Sequence, residues 1–351
     1  MLKRFFSSSG LRGTLIKCTQ SDMPTVIAFP DLLENPESLR PLFNKKLQEI
    51  RNIWLLNYRN SWLGERTDSM SPENLADDVI HFMDKNHITM ASLVGCGFGG
   101  RVASIAGILK YHRITSVVGL DYSPMDLTKH AAYKELKAAI EFCAQLDLTG
   151  KSKNEVDAIL KKNVPNPRLL VALRANLTEG DGNKLFWKSG MKELAKNMNA
   201  KDPNLNIGKF PMVGLFPGRA LFLYAERSQW VHQGSNTIPM YNIFPILKGS
   251  YGSFINHIDT DCHHLHECSD VHSIARKIHE FYKWYDGVHP TLLNRSEIGK
   301  VALPLRSFNT ITKEEREHLI NVGDPTIPKM IPVHRHHNWG YAPEAKNIHY
   351  P

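Results

Sequence analysis

An α/β fold with a mostly parallel central sheet is what this sequence predicts, and three observations predict it. Short apolar runs alternate with amphipathic segments between residues 25 and 120, the rhythm of helices packed on a parallel sheet. A glycine cluster, Val94-Gly95-Cys96-Gly97-Phe98-Gly99-Gly100, falls where one such run meets the next segment, as at a strand-to-helix turn. From about 124 to 206 no convincing strand occurs, which fits a helical cap inserted over the carboxyl edge of the sheet.

The elements follow in order. Thr25–Phe29, bounded by prolines, reads as a buried strand, and Ile53–Leu56 as a second. Ser71 caps a helix running to about Lys85, with Leu75, Val79 and Phe82 on one face. Ile88–Val94 is a third strand, Arg101–Tyr111 a helix and Ile114–Leu120 a fourth strand. Helices are expected at Lys134–Gln145, Lys153–Lys162, Arg168–Asn176 and Trp187–Asn197. Strand character returns at Ala220–Tyr224 and near Tyr251–Ile255, and a helix over Val271–Trp284 closes the body. Trp54, Phe281, Trp284 and Tyr285 are expected in the core.

Three regions result: an N-terminal extension (1–22), a body (23–286, with its cap at about 124–206) and an extended tail (287–351). The tail holds seven of the 20 prolines, and only Thr312–Ile320 reads as helix, with Thr312 and Glu315 as a capping box. Such a segment buries no core of its own. Either the body's own surface or neighbouring protein subunits would have to hold it, and the second is the expectation.

Composition narrows the function. The 351 residues are 42% hydrophobic and 22% charged, values that exclude disordered and collagenous chains. Of the net charge of +8, half comes from Lys3, Arg4, Arg12 and Lys17 in an acid-free leader. A nucleic-acid binder would carry its basic stripe on the folded body, so no nucleic-acid partner is expected. The leader's basic, serine-rich composition fits a mitochondrial transit segment. Five scattered cysteines, at 18, 96, 143, 262 and 268, fit a reducing compartment. No apolar run is long enough to span a bilayer, so any membrane association would be peripheral.

The glycine cluster satisfies G-x-G-x-x-G, and Asp121 lies 21 residues beyond Gly100. A dinucleotide fingerprint belongs at the first strand–helix turn, however, and here two strands precede it. No cofactor is expected. The nucleophile elbow G-x-S-x-G fits the position better. Tyr58-Arg59-Asn60, Leu120-Asp121-Tyr122-Ser123-Pro124, Arg174-Ala175-Asn176-Leu177 with Asp181-Gly182 and Phe186-Trp187, and Ser228-Gln229-Trp230-Val231-His232 accompany it. Together, over about residues 24–285, these resemble the esterases of the abhydrolase domain-containing protein 11 type. The resemblance implies an α/β-hydrolase fold with a helical cap, Asp121 at a family acid position and His263 in the family's histidine turn.

Two departures shape the functional expectation. The elbow's central position is Gly97, which has no side chain to attack a substrate, and Phe29-Pro30 stands where the family has His-Gly in its oxyanion loop. Proline lacks an N–H to donate. The resulting expectation is a chain that is not an enzyme, with Gly97, Asp121 and His263 as relic positions and no catalytic residue. It would serve as a structural subunit of a large mitochondrial assembly on the matrix side of the inner membrane. A respiratory complex or the ATP synthase comes first, the mitochondrial ribosome second. The alternatives are an active hydrolase using Cys96 or a water activated by His263, and a module binding acyl ligands. Cys262, His263, His264, His266 and Cys268, like His334, His336 and His337, lack a recognised zinc spacing, so no metal is expected.

Overall fold

The computed structural model describes residues 4–6, 11–19, 23–211, 214–225, 228, 230–231, 237–244, 247, 254–258 and 271–288. The chain runs through β1 (Arg4–Phe6), β2 (Arg12–Ile16), β3 (Thr25–Phe29), α1 (Lys45–Gln48) and β4 (Asn52–Leu56). It continues as α2 (Pro72–Lys85), β5 (Ala91–Cys96), α3 (Phe98–Leu109) and β6 (Ile114–Leu120). The cap comprises α4 (Ala131–Gln145), α5 (Lys153–Asn163), α6 (Pro167–Asn176), β7 (Leu177–Glu179), β8 (Leu185–Trp187) and α7 (Met191–Met198). Then come β9 (Arg219–Ala225), α8 (Thr237–Ile243), β10 (Phe254–Ile258) and α9 (Val271–Val288).

The main sheet has the order β1-β2-β4-β3-β5-β6-β9-β10. It is parallel from β4 to β10, and β1 and β2 add an antiparallel edge. All residues of β5 and β9 are buried, as expected of strands covered on both faces. Their side chains alternate between two cores. Ile27, Phe29, Leu93 and Val117 join α2, α3 and the cap on one side. Val26, Val94, Cys96 and Leu221 join Ile274 and Ile278 of α9 on the other. A buried hydroxyl contact ties α9 to the sheet, with Ser92 Oγ 2.6 Å from Tyr282 Oη.

The sheet reaches into the residues assigned to the N-terminal extension. Gly13 pairs with Leu56, Leu15 with Trp54, and Leu11 is fully buried. The strand–helix alternation of the body otherwise follows the sequence expectation, with α2 capped by Ser71, whose Oγ accepts from Asn74 N at 3.3 Å. The tail from residue 289, including Thr312–Ile320, lies outside the described residues. So do the side chains of Trp284 and Tyr285 and the whole Cys262–Cys268 cluster with its His263.

The motif Arg59-Asn60 organises the loop after β4. Arg59 grips Asp78 of α2 through two hydrogen bonds of 2.8 Å and donates to Ser69 O. Asn60 exchanges a reciprocal pair of 2.8 Å bonds with the backbone of Thr67. Burial raises the Asp78 carboxyl even though Arg59 pulls it down. In the cap, fully buried Asn176 bonds Leu33 O, Ser189 Oγ and Ser189 N, which fixes the cap onto the loop after β3. Breaking a largely buried ion pair leaves a charge unmatched, so Arg59→Ala should lower the unfolding free energy by about 3 kcal/mol in urea titrations.

Candidate active site

The site forms where β3 and β5 end side by side. Phe29 of β3 pairs with Gly95 of β5, so the loop after β3 lies against the turn into α3. Gly97 makes that turn with φ 50° and ψ −120°, a conformation glycine adopts without the penalty a Cβ would impose. Gly99 is needed for a different reason: a Cβ there would lie 2.2 Å from Phe29 O. The turn has the shape the elbow motif predicts.

The slot above Gly97 is not bare. A Cβ built on Gly97 would stand 2.3 to 2.5 Å from the carboxyl atoms of Asp31. Asp31 Oδ1 accepts hydrogen bonds from Phe98 N at 2.7 Å and from Leu32 N at 2.8 Å. One donor thus comes from the residue after the elbow's central position and the other from the loop after β3, the two places that build an oxyanion hole. Pro30 has no N–H to give, as expected, and the N–H directed at this oxygen from the loop is that of Leu32, two residues on. Tyr58 lies beneath, fully buried, its ring 5.4 Å from that of Phe98. Burial first, and then the Asp31 charge, push its phenol well up.

Of the sequence-predicted positions, Gly97 and Asp121 line one cavity together with Asp31. Asp121 is buried, follows β6 at φ 48°, and its Oδ1 accepts from Ala225 N at 2.7 Å. It is thereby locked to the end of β9. His263 lies outside the described residues. Cys96 is fully buried in the core facing α9, away from the cavity, which removes the cysteine-nucleophile alternative. Among the described residues, no group of three or more His, Cys, Asp or Glu is placed to hold a metal.

Sequence reasoning missed Asp31, Leu32 and Arg101. Arg101, on the first turns of α3, lines the same cavity and is 4% exposed. Its guanidinium lies 5.8 Å from the Phe98 ring centre and 5.9 Å from that of Phe210, and Nη1 donates to Lys209 O. Burial lowers its pKa to about 10, so it stays cationic near neutrality.

No protein-family model matches the chain. A marine microorganism esterase superposes with a TM-score of 0.64 at 20% identity, covering 80% of this chain and 100% of that one. The chain has the α/β-hydrolase fold. In sequence it is 23% identical over 201 residues to ethanol acetyltransferase 1 of Hanseniaspora uvarum, covering 52% of this chain and 58% of that protein. It is 24% identical over 130 residues to esterase YbfF of Escherichia coli K12, covering 37% of this chain and 50% of that protein. The chain thus spans about half the length of the curated relatives it matches. These relatives are named enzymes, and that overturns the expectation drawn from Gly97 that this α/β-hydrolase-fold chain is not one. The physical error was to judge the slot from residue 97 alone, when residue 31 fills it. Among the described residues no helix is long and apolar enough to cross a membrane.

Gly97 and Asp31 should be energetically coupled. Gly97→Ala adds a Cβ at positive φ against the carboxylate and should cost about 2 kcal/mol or more. In an Asp31→Ala background the collision disappears and only the backbone strain remains, so a double-mutant cycle by urea unfolding should show a smaller cost there.

Proposed function

We propose that this protein is an ester or thioester hydrolase in which the Asp31 carboxylate takes the place of the serine hydroxyl. The observation that carries the reading is the position of Asp31 Oδ1 between Phe98 N–H and Leu32 N–H, at the spot the elbow's side chain would occupy. The names of the relatives, an acetyltransferase and an esterase, support acyl chemistry as the class.

In this mechanism Asp31 Oδ2 attacks the acyl carbon, the ester C–O bond breaks, and the alcohol leaves with a proton from solvent. The acyl group is then held on Asp31 as a mixed anhydride. Water next adds to Asp31 Cγ and its proton passes to a base, a role the family resemblance gives to His263. The negative charge of that tetrahedral intermediate gathers on Oδ1, where the two amides stabilise it. Collapse releases the carboxylic acid and restores Asp31, and the net change is ester plus water to acid plus alcohol.

The acid-free basic leader supports a mitochondrial location, and the proline-rich composition of 287–351 supports contacts with other subunits of a mitochondrial assembly. An enzyme body is compatible with both. Fractionating mitochondria on native gels should find the chain travelling with a large complex; migration as a free monomer removes that part of the reading.

Two measurements test the chemistry. Asp31→Asn should lower turnover of p-nitrophenyl acetate by at least about a hundredfold, with the fold intact by circular dichroism. A turnover run in ¹⁸O-labelled water should place label in the Asp31 carboxylate, detected by mass spectrometry of the peptide. Label in the acid alone would mean that water does not add at Asp31 Cγ, which overturns the second step of this mechanism.

A further inference from the structure

The cavity beside Asp31 has a second polar feature that ester cleavage does not require. Its walls are mostly apolar, among them Met125, Leu127, Leu136, Met198 and Phe210. Five of its lining residues have buried polar atoms with no hydrogen-bond partner among the described residues: Arg101 (Nε and Nη2), Tyr122, Ser123, Tyr133 and Trp230 (Nε1). Each of these can donate, and the Arg101 and Trp230 groups can only donate. A protein of this size leaves few buried donors unsatisfied, because each costs free energy comparable to a lost hydrogen bond. For the Arg101 guanidinium the cost is greater still, because a buried cation needs an anionic partner.

Neither nearby carboxylate supplies that partner. Asp31 is engaged by two backbone amides and Asp121 by the amide of Ala225. Among the described residues the guanidinium gives one hydrogen bond, to a neutral carbonyl, and its Nε and Nη2 have no partner. The space is about 50 Å³. At about 10–15 Å³ for each water, it suits a group of only a few heavy atoms.

We infer that the cavity selects substrates carrying a small carboxylate, which Arg101 clamps through Nε and Nη2 while the Tyr122 and Tyr133 hydroxyls complete its hydrogen bonds. A planar carboxylate matches the paired donors of a guanidinium, and the small apolar-walled space disfavours a more heavily hydrated phosphate. The inference deepens the hydrolase reading and rests on this cavity being the substrate pocket. It narrows the substrate class to short esters or thioesters that bear a free carboxylate, such as half-esters of small dicarboxylic acids.

Ligand-observed NMR titration of the full chain tests it directly, with succinate as probe and succinamide and inorganic phosphate for comparison. The inference expects succinate to bind and both comparison molecules to bind at least about tenfold more weakly. Arg101→Gln should weaken succinate by the same factor. Should that variant fold poorly, Tyr133→Phe, which removes only a hydroxyl, should still weaken succinate measurably. Equal binding of succinate and succinamide overturns the inference, and phosphate binding as tightly as succinate overturns the choice of a carboxylate.

Repeating the titration with Asp31→Asn separates the two proposals. Arg101-dependent binding of succinate together with no esterase activity in the unaltered chain would remove the hydrolase reading alone. Asp31-dependent turnover of neutral esters without succinate binding would remove the carboxylate site alone.

Discussion

The hydrogen bonds from Phe98 N and Leu32 N to a single carboxylate oxygen are the interaction on which the site depends. They join the end of β3 to the start of α3, and they do so only because nothing projects from Gly97. Any L-residue there would bear a Cβ within about 2.5 Å of the Asp31 carboxyl and would also adopt the positive φ of the turn at a cost. Gly97 and Asp31 are therefore a matched pair. The side chain that fills the slot comes from the loop facing the elbow, and the backbone N–H groups of Phe98 and Leu32 are directed at it.

The rest of the cavity is polarised around that arrangement. At one side stands an anion held by two amides; elsewhere in the same walls stands a buried cation with two nitrogens that have no partner among the described residues. Arg101 is buried while Asp31 is only half-buried, so the field of the cation is the less screened of the two. The cap matters here chiefly as a wall, because Tyr133, Leu136 and Met198 line the cavity and Asn176 locks the cap to the β3 loop. In the proposed reaction, a substrate entering this space would meet the Asp31 carboxylate at one side and the Arg101 guanidinium in the same walls.

Much of the scaffold was legible in the sequence because buried parallel strands are written as unbroken apolar runs. Thr25–Phe29 and Ile114–Leu120 appear with the same bounds in both. β2 was not legible: it is a largely half-buried strand next to the short edge strand β1 and carries Arg12, so its composition reads as a basic leader. The three-residue strands β7 and β8 are too short to show a period. Helix α3 begins at Phe98, three residues before the predicted start, since packing against β5 overrides the poor helix propensity of Gly99 and Gly100. Asp31 escaped notice because its meaning depends on a contact 67 positions away, with Phe98. The available signal was an acid immediately after a strand end, opposite a glycine where a side chain was expected.

Whether such a carboxylate serves as nucleophile or as general base is decided by where charge goes. As a base, Asp31 would take up a proton in the transition state, drain charge from Oδ1 and weaken both amide contacts just when stabilisation is needed. As a nucleophile, Asp31 passes through an intermediate at Cγ in which Oδ1 changes from sharing one charge with Oδ2 to carrying nearly all of it. The same two amides then bind the transition state more strongly than the resting anion, and only such a difference accelerates a reaction. The donors that hold the resting carboxylate are thus placed for hydrolysis of an acyl group attached to it. Acylation drains charge from Oδ1 much as protonation would, so it is in the second half of the covalent route, at the intermediate on Cγ, that the two amides assist.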